Sequence, residues 1–409
     1  MRPARHVLWS TILLLASYGN AISGPDVALT AVRVNFKPDS TYSPSKRPFQ
    51  GIPGIERAAN GRLWATWYAG GKDEGPENYV LLVTSNDDGK TWSAPVLVID
   101  PPGVVRAFDP CLWIDPSGAM WLAWAQGAVQ FDGRSGVWAI RTTNPGAANP
   151  KWSKPRRIGD GVMMNKPTVL RSGEWLFPAA MWWSVRANVA KVGEKFGLGL
   201  TPAQVQELSH DLGDRNGAHL LSTSNKGKTF RLIRGPKVPN AAFDEHMMIE
   251  ENNGDWAVYV RTRYGIGVSR SGDRGKTWTE GADTGIHHAN ARFFIRRLRS
   301  GNLLLVRHDA PNGLVRSHLT AQISSDDGAT WKGKLLLDER VNVSYPDGVE
   351  APNGDIYVIY DRERYRDRDI LMATFCEEDV LAGRCSSPKC RLHGLVNSAG
   401  GTSQDSAGK

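Results

Sequence analysis

Residues 84–92 read TSNDDGKTW, and within them Ser85, Asp87, Gly89, Thr91 and Trp92 follow the spacing S-x-D-x-G-x-T-W. Two carboxylates, hydroxyls, a lysine and a tryptophan crowded together have the look of a reaction centre. The spacing returns, however, at Ser271, Asp273, Gly275, Thr277 and Trp278, and again at Ser324, Asp326, Gly328, Thr330 and Trp331. Degraded copies stand at 223–230 (TSNKGKTF) and from Thr142 (TTNPGAANPKW). A catalytic group occurs once in a chain, whereas a structural fastener occurs once per repeat. Short polar side chains satisfy backbone N–H groups inside a tight turn, glycine accepts positive φ, and tryptophan packs beneath the turn. Asp87, Asp273 and Asp326 are therefore expected to be scaffold.

A second repeat interleaves with the first. NGRLWATW, SGAMWLAW, SGEWLFPA, NGDWAVYV, SGNLLLVR and NGDIYVIY place a turn glycine at 61, 118, 173, 254, 301 and 354, each followed by an apolar or aromatic run. Each reads as a β-turn feeding a strand. Most intervals between these glycines match a four-stranded propeller blade with generous loops. The long interval from Gly173 to Gly254 holds RANVAKVGEKFGLGLTPAQVQELSHDLGD, in which a Thr cap precedes good helix formers. The expectation is an all-β fold, a six-bladed β-propeller with a small helical insertion at about 185–216 in blade three.

The ends and the composition bound the rest. MRPARH followed by VLWSTILLLASYG and small residues reads as a signal peptide over 1–23, with an N-terminal anchor as the alternative. The propeller is expected over 24–392 and a disordered tail over 393–409, where GGTSQDSAGK lacks apolar residues. A secreted or periplasmic monomer with no stable membrane span follows. The net charge of +8 forms no basic run interleaved with aromatics, so no nucleic-acid partner is expected. Of the four cysteines, Cys111 sits in an apolar strand, and Cys376, Cys385 and Cys390 permit one bridge in an oxidising compartment. No pair has the spacing of a zinc site and the histidines are scattered, so neither metal nor cofactor is expected.

The S-x-D-x-G-x-T-W repeats are Asp boxes, and the chain resembles the sialidase (neuraminidase) superfamily of BNR-repeat proteins over nearly all of its mature length. The resemblance implies a site on the propeller axis, at the end away from the Asp boxes, built from three arginines, a Tyr/Glu pair and an Asp. Residue by residue, it implies Glu245 and Arg261 in DEHMMIEENNGDWAVYVR, Arg316 in VRSHLTAQISSDDG, Tyr345 in VSYPDGVEAPNG, and Asp73 in GGKDEGPENYVLLVTS. The chemistry gives each type a reason. Arg261 and Arg316 grip a carboxylate and stay charged. Tyr345, a neutral phenol, is the implied nucleophile, because it avoids repulsion near an anomeric carbon that bears its own carboxylate. Glu245 is its base, since a free phenol with a pKa of about 10 attacks poorly. Asp73 is the implied acid/base toward the leaving oxygen.

One departure stands out: in FQGIPGI, Gly51 occupies the place of the family's first arginine, unless Arg47, Arg57 or Arg106 reaches in from a neighbouring loop. Further candidates for the mouth are Arg106 and Asp109 in VVRAFDPCLW, Asn165 and Lys166 in MMNKPTVL, Asn290 and Arg292 in HANARFF, and His246, His308 and His318. The leading reading is an exo-glycosidase that retains configuration and acts on a terminal acidic sugar, sialic acid first. Two alternatives stay open: a propeller lyase or glycosidase on uronic-acid glycans, with a His or Tyr as base, and a glycan-binding propeller without catalysis.

Overall fold

Each of the six turn glycines opens the second strand of a sheet, with φ between 83° and 96°. These strands are Leu63–Ala69, Met120–Ala128, Trp175–Met181, Trp256–Thr262, Leu303–His308 and Ile356–Arg362. All are buried along their whole length except for the last residue, Arg362, of the sixth, because each sheet is covered on both faces by its neighbours. The computed structural model describes residues 27–129, 134, 136–182, 186–209 and 212–400. The leader expected at 1–23 lies outside the described residues.

Six antiparallel sheets result, five of four strands and one of five, each running outward in chain order from its first strand. The inner strands are Gln50–Arg57, Val105–Ile114, Thr168–Val169, Ala241–Glu250, Phe294–Arg297 and Val343–Glu350. The extra strand, Val34–Asn35, joins the outer edge of blade one against Leu97–Ile99. The core lies between blades: Trp113, Trp121, Trp175 and Phe177 meet edge to face or tilted between blades two and three. This is a six-bladed β-propeller of the sialidase type.

The ring closes without a shared strand. Blade one holds blade six through Ile52 N–H donating to Asp361 Oδ2 (2.7 Å), Ile55 N–H to Asp347 Oδ2 (2.9 Å) and Tyr357 O–H to Asp88 Oδ1 (2.5 Å). The Asp boxes sit between third and fourth strands and behave as fasteners. Ser85 Oγ accepts from Gly89 N–H at 2.9 Å, Asp87 Oδ1 accepts from Thr91 N–H at 2.9 Å, and Oδ2 accepts from the Thr91 hydroxyl at 2.6 Å. The same net recurs around Asp273 and Asp326. The degraded copy keeps its shape with Thr223 and Asn225 as acceptors. Hydrogen bonds from Thr91 hold the exposed Asp87 carboxyl down to about 2.

One boundary differs from expectation. Arg391–Ser398 pairs with Asp369–Phe375 as the outer strand of blade six, so the propeller runs past residue 392. Register slips between Ile370 and Leu371 and between Met372 and Thr374 break the alternation that would have announced that strand. Of the tail, 401–409 lies outside the described residues. A short helix, Glu377–Ala382, takes the Asp-box position of blade six, and Cys385 pairs with Cys390 just beyond it. The insertion in blade three contains the helices Arg186–Lys195 and Pro202–Leu208. No helix among the described residues is long and apolar enough to cross a membrane.

Candidate active site

Four inner strands begin with the same irregularity. Their register to the second strand slips between Gly51 and Gly54, Phe108 and Cys111, Ala241 and His246, and Ser344 and Asp347. At these slips non-glycine residues adopt left-handed backbone: Ile52 (φ 59°), Asp109 (46°), Phe243 (59°), Asp244 (46°) and Tyr345 (53°). Such a φ costs an L-residue about 1–2 kcal/mol, and the bulge re-aims the side chain. Ile52, Asp109, Phe243 and Tyr345 all turn into one cavity of about 420 Å³, where the inner strands start and opposite the Asp boxes. Ile52, Asp109 and Tyr345 each precede a proline, which lacks an N–H and so forfeits no ladder bond where the ladder is interrupted.

Tyr345, Glu245 and Arg261 form a closed triangle in the cavity wall. The Tyr345 hydroxyl donates to Glu245 Oε1 at 2.8 Å, and Arg261 Nη1 donates both to that oxygen (2.8 Å) and to the Tyr345 hydroxyl (2.9 Å). Glu245 Oε2 is buried with no hydrogen-bond partner. Burial, reinforced by the Glu245 charge, pushes the Tyr345 phenol well above the usual tyrosine range, against the pull of the arginines around it. Burial opposes the charge on Arg261, but Glu245 and Tyr345 hold it cationic.

Two more guanidinium groups converge on the same ring. Arg364 lies 4.2 Å and Arg316 5.5 Å from the Tyr345 ring centre. Arg316 bonds only neutral groups, Ser344 Oγ and the Asn290 carbonyl, both at 3.2 Å. Arg364 answers the question raised at Gly51. A β-carbon at Gly51 would stand 2.8–2.9 Å from Cδ, Cγ and Nε of Arg364, so this side chain fills the space that the glycine leaves. Arg364 Nε donates to Asp361 Oδ2 at 2.9 Å, while Nη2 is buried without a partner.

The substitutes expected from sequence do not fill that space. Arg47 is tied to the Tyr42 carbonyl, Gln50 and Asn397, and Arg57 lies over Tyr357 on the far side. Arg106 does line the cavity, over Phe108 at 4.0 Å and Tyr68 at 5.4 Å. Next to it Asp109 is pushed up to about 8, chiefly by burial and secondly by Glu74. Asp73 lines the rim. Its Oδ1 accepts from Tyr365 O–H and Glu74 N–H, both at 2.8 Å, and its Oδ2 pairs with the Lys195 ammonium.

Other expected residues lie elsewhere, for one physical reason. The inner strand of a propeller has an unpaired edge facing the axis, and its carbonyls need donors. Lys166 Nζ donates to the carbonyls of Ile55 and Leu112 and pairs with Glu56 (3.0 Å) and Asp347 (3.3 Å). Asn165 donates to the His246 carbonyl at 2.8 Å and accepts from Arg292 Nε at 2.6 Å, and Arg292 reaches Asp347 at 3.3 Å. These three are axial pins. Asn290 sits behind the cavity, with its side-chain oxygen and its carbonyl accepting from Arg261 at 2.8 and 3.0 Å. His246 is enclosed by the carbonyls of Asp244 and His219 and driven down to about 4 by burial, and His318 bonds Ser317. No described histidine lines the cavity.

Several lining residues carried no sequence signal: Arg364 and Tyr365 sit in the charged run DRERYRDRD, which reads as solvated loop, and Tyr68, Trp182 and Phe243 read as core. The prolines after Ile52, Asp109 and Tyr345 are the signal that would have marked the bulges.

The BNR repeat-like domain matches residues 61–358. Among solved structures, the Hadza microbial sialidase Hz136 is 18% identical with a TM-score of 0.57, over 77% of this chain and 64% of that one. The leech intramolecular trans-sialidase is 12% identical with a TM-score of 0.60, over 86% of this chain and 71% of its own. An α-L-arabinofuranosidase from Fusarium graminearum is 11% identical with a TM-score of 0.53, over 86% and 99%. At these identities the likeness is one of fold. No curated protein matches the sequence.

Proposed function

The chain belongs to the BNR repeat-like family within the sialidase superfamily, and on that premise we propose that it is a retaining exo-glycosidase that removes a terminal acidic sugar, sialic acid foremost, from glycoconjugates. The observation that carries the proposal is the Tyr345–Glu245–Arg261 triangle beneath the guanidinium groups of Arg316 and Arg364. Three cations gathered around one neutral phenol suit a sugar whose carboxylate lies beside its reacting carbon.

In the first step the Tyr345 oxygen attacks the anomeric carbon, its proton passes to Glu245, and Asp73 gives a proton to the departing glycosidic oxygen. In the second step Asp73 takes a proton from water, the water oxygen displaces Tyr345, and Glu245 returns the phenolic proton. Two inversions retain configuration. The neutral Tyr345 fits this role, because a phenolate would repel the incoming carboxylate. Action outside the cytoplasm, secreted or periplasmic, is supported by the Cys385–Cys390 bridge.

The uronate-directed reading is left with a tyrosine as its base, because no described histidine lines the cavity. Release of fluorophore from an α-sialoside supports hydrolysis, whereas ultraviolet absorbance from an unsaturated uronate supports the lyase and sinks the proposal.

A further inference from the structure

The helical insertion is the largest departure from the blade repeat, and it is docked rather than free. Val189, Val192, Val205 and Leu208 bury themselves against Ala128 and Val129 of blade two and Ala28 of the N-terminal segment. A capping box on Thr201 and Gln204 closes the second helix. From this anchored base, two consecutive residues reach the loop of blade one that carries Asp73. The Phe196 ring occupies the place where a β-carbon on Gly75 would stand, so only glycine at 75 lets it seat. Lys195 pairs its ammonium with Asp73 Oδ2.

The Asp73 carboxyl is thereby held from three directions, each contributing a donor. The insertion supplies Lys195, the loop itself supplies Glu74 N–H, and the loop after the second strand of blade six supplies Tyr365 O–H. The nearby Glu74 carboxylate faces Arg364 at 3.6 Å. Burial of Asp73 would favour its neutral form, but the bonds from Lys195, Glu74 N–H and Tyr365 override it and lower the carboxyl below its ordinary range. An acid toward a leaving oxygen must first carry a proton.

We propose that Lys195 is a positioning residue through which the docked insertion orients the Asp73 carboxylate and controls its proton. The inference rests on the acid/base role of Asp73 in the reading above. The sign follows from the chemistry: glycosyl transfer to Tyr345 needs protonated Asp73, so whatever holds Asp73 ionised moves the basic limb of the pH profile to lower pH. Removing Lys195 moves it back up.

The test uses the full chain and two variants, Lys195→Met and Lys195→Arg. The Lys195 side chain is half exposed, so the change removes a charge without opening the core. The Asp73 carboxyl is titrated by carbon-13 NMR, with its signal assigned by its loss in Asp73→Asn. Titration at higher pH in Lys195→Met, with the original midpoint kept in Lys195→Arg, is expected, together with a basic limb of kcat/KM moved to higher pH in Lys195→Met alone. An unchanged Asp73 midpoint in Lys195→Met overturns the inference. A shifted midpoint in an enzyme that turns over no acidic glycoside keeps the link between Lys195 and Asp73 but removes the glycosidase reading beneath it.

Discussion

Arg364 and Gly51 share one space: Cδ of the arginine lies 2.8 Å from where a β-carbon on the glycine would stand. A guanidinium that reaches the Tyr345 ring from blade six needs a bare backbone in blade one, and each residue explains the other. Arg364→Ala is expected to lower kcat/KM for an acidic sugar roughly 10- to 100-fold, mostly through KM, as loss of a charge-assisted bond would. Gly51→Ala alone should displace Arg364 and lower both Tm and kcat/KM. Added to Arg364→Ala, it should cost little more. Steady-state kinetics on the four proteins of this double-mutant cycle check the coupling, and additive losses would refute the shared space.

Asp109 makes the alkaline side of the profile distinctive. Burial raises its folded-state pKa to about 8, so it is neutral at neutral pH and turns anionic above that value. A carboxyl whose folded pKa is raised contributes stability that is complete below its unfolded pKa, about 3.9, and is lost as pH rises through the folded value. KM for an acidic glycoside should therefore rise across about pH 8, whereas Tm should fall from about pH 4 up to about pH 8 and level off above it. Asp109→Asn, fixed in the neutral form, should show neither change. Parallel pH series of KM and Tm on the two proteins measure this.

Lys166 separates a pin from a pocket residue. It is buried between Glu56 and Asp347, with two inner-strand carbonyls as further acceptors. Lys166→Met leaves Glu56 buried without its paired cation and Asp347 with Arg292 alone, and is expected to cost about 3–5 kcal/mol of stability in denaturant unfolding. At a temperature where the variant remains folded, kcat/KM should stay near that of the parent. A large loss of kcat/KM at full stability would put Lys166 back in the site.

The propeller was legible because its signal is periodic: six turn glycines and recurrent Asp boxes repeat one structural demand. Tyr345, Glu245, Arg261, Arg316 and Asp73 were reachable through the resemblance to the sialidase superfamily, with the repeats as markers, and all five line one cavity. Arg364 was not reachable, since its role depends on meeting Gly51 from another blade. Asn165, Lys166 and Arg292 were misplaced because a polar residue on an inner strand serves either the mouth or the unpaired inner edge, and spacing does not tell the two apart. The bulges were written in the sequence as Ile52-Pro53, Asp109-Pro110 and Tyr345-Pro346, a pattern that takes on meaning once the strands are known to lie side by side.

The central claim is that Tyr345 is the nucleophile and Glu245 its base. The most direct measurement is intact-protein and peptide mass spectrometry after reaction with a slow-turnover fluorinated sialoside, on the parent chain and on Tyr345→Phe. The expected result is one sialosyl adduct on the peptide containing Tyr345, no adduct in Tyr345→Phe, and nearly complete loss of sialoside turnover in that variant. Full turnover in Tyr345→Phe, or an adduct on any other residue, would contradict it.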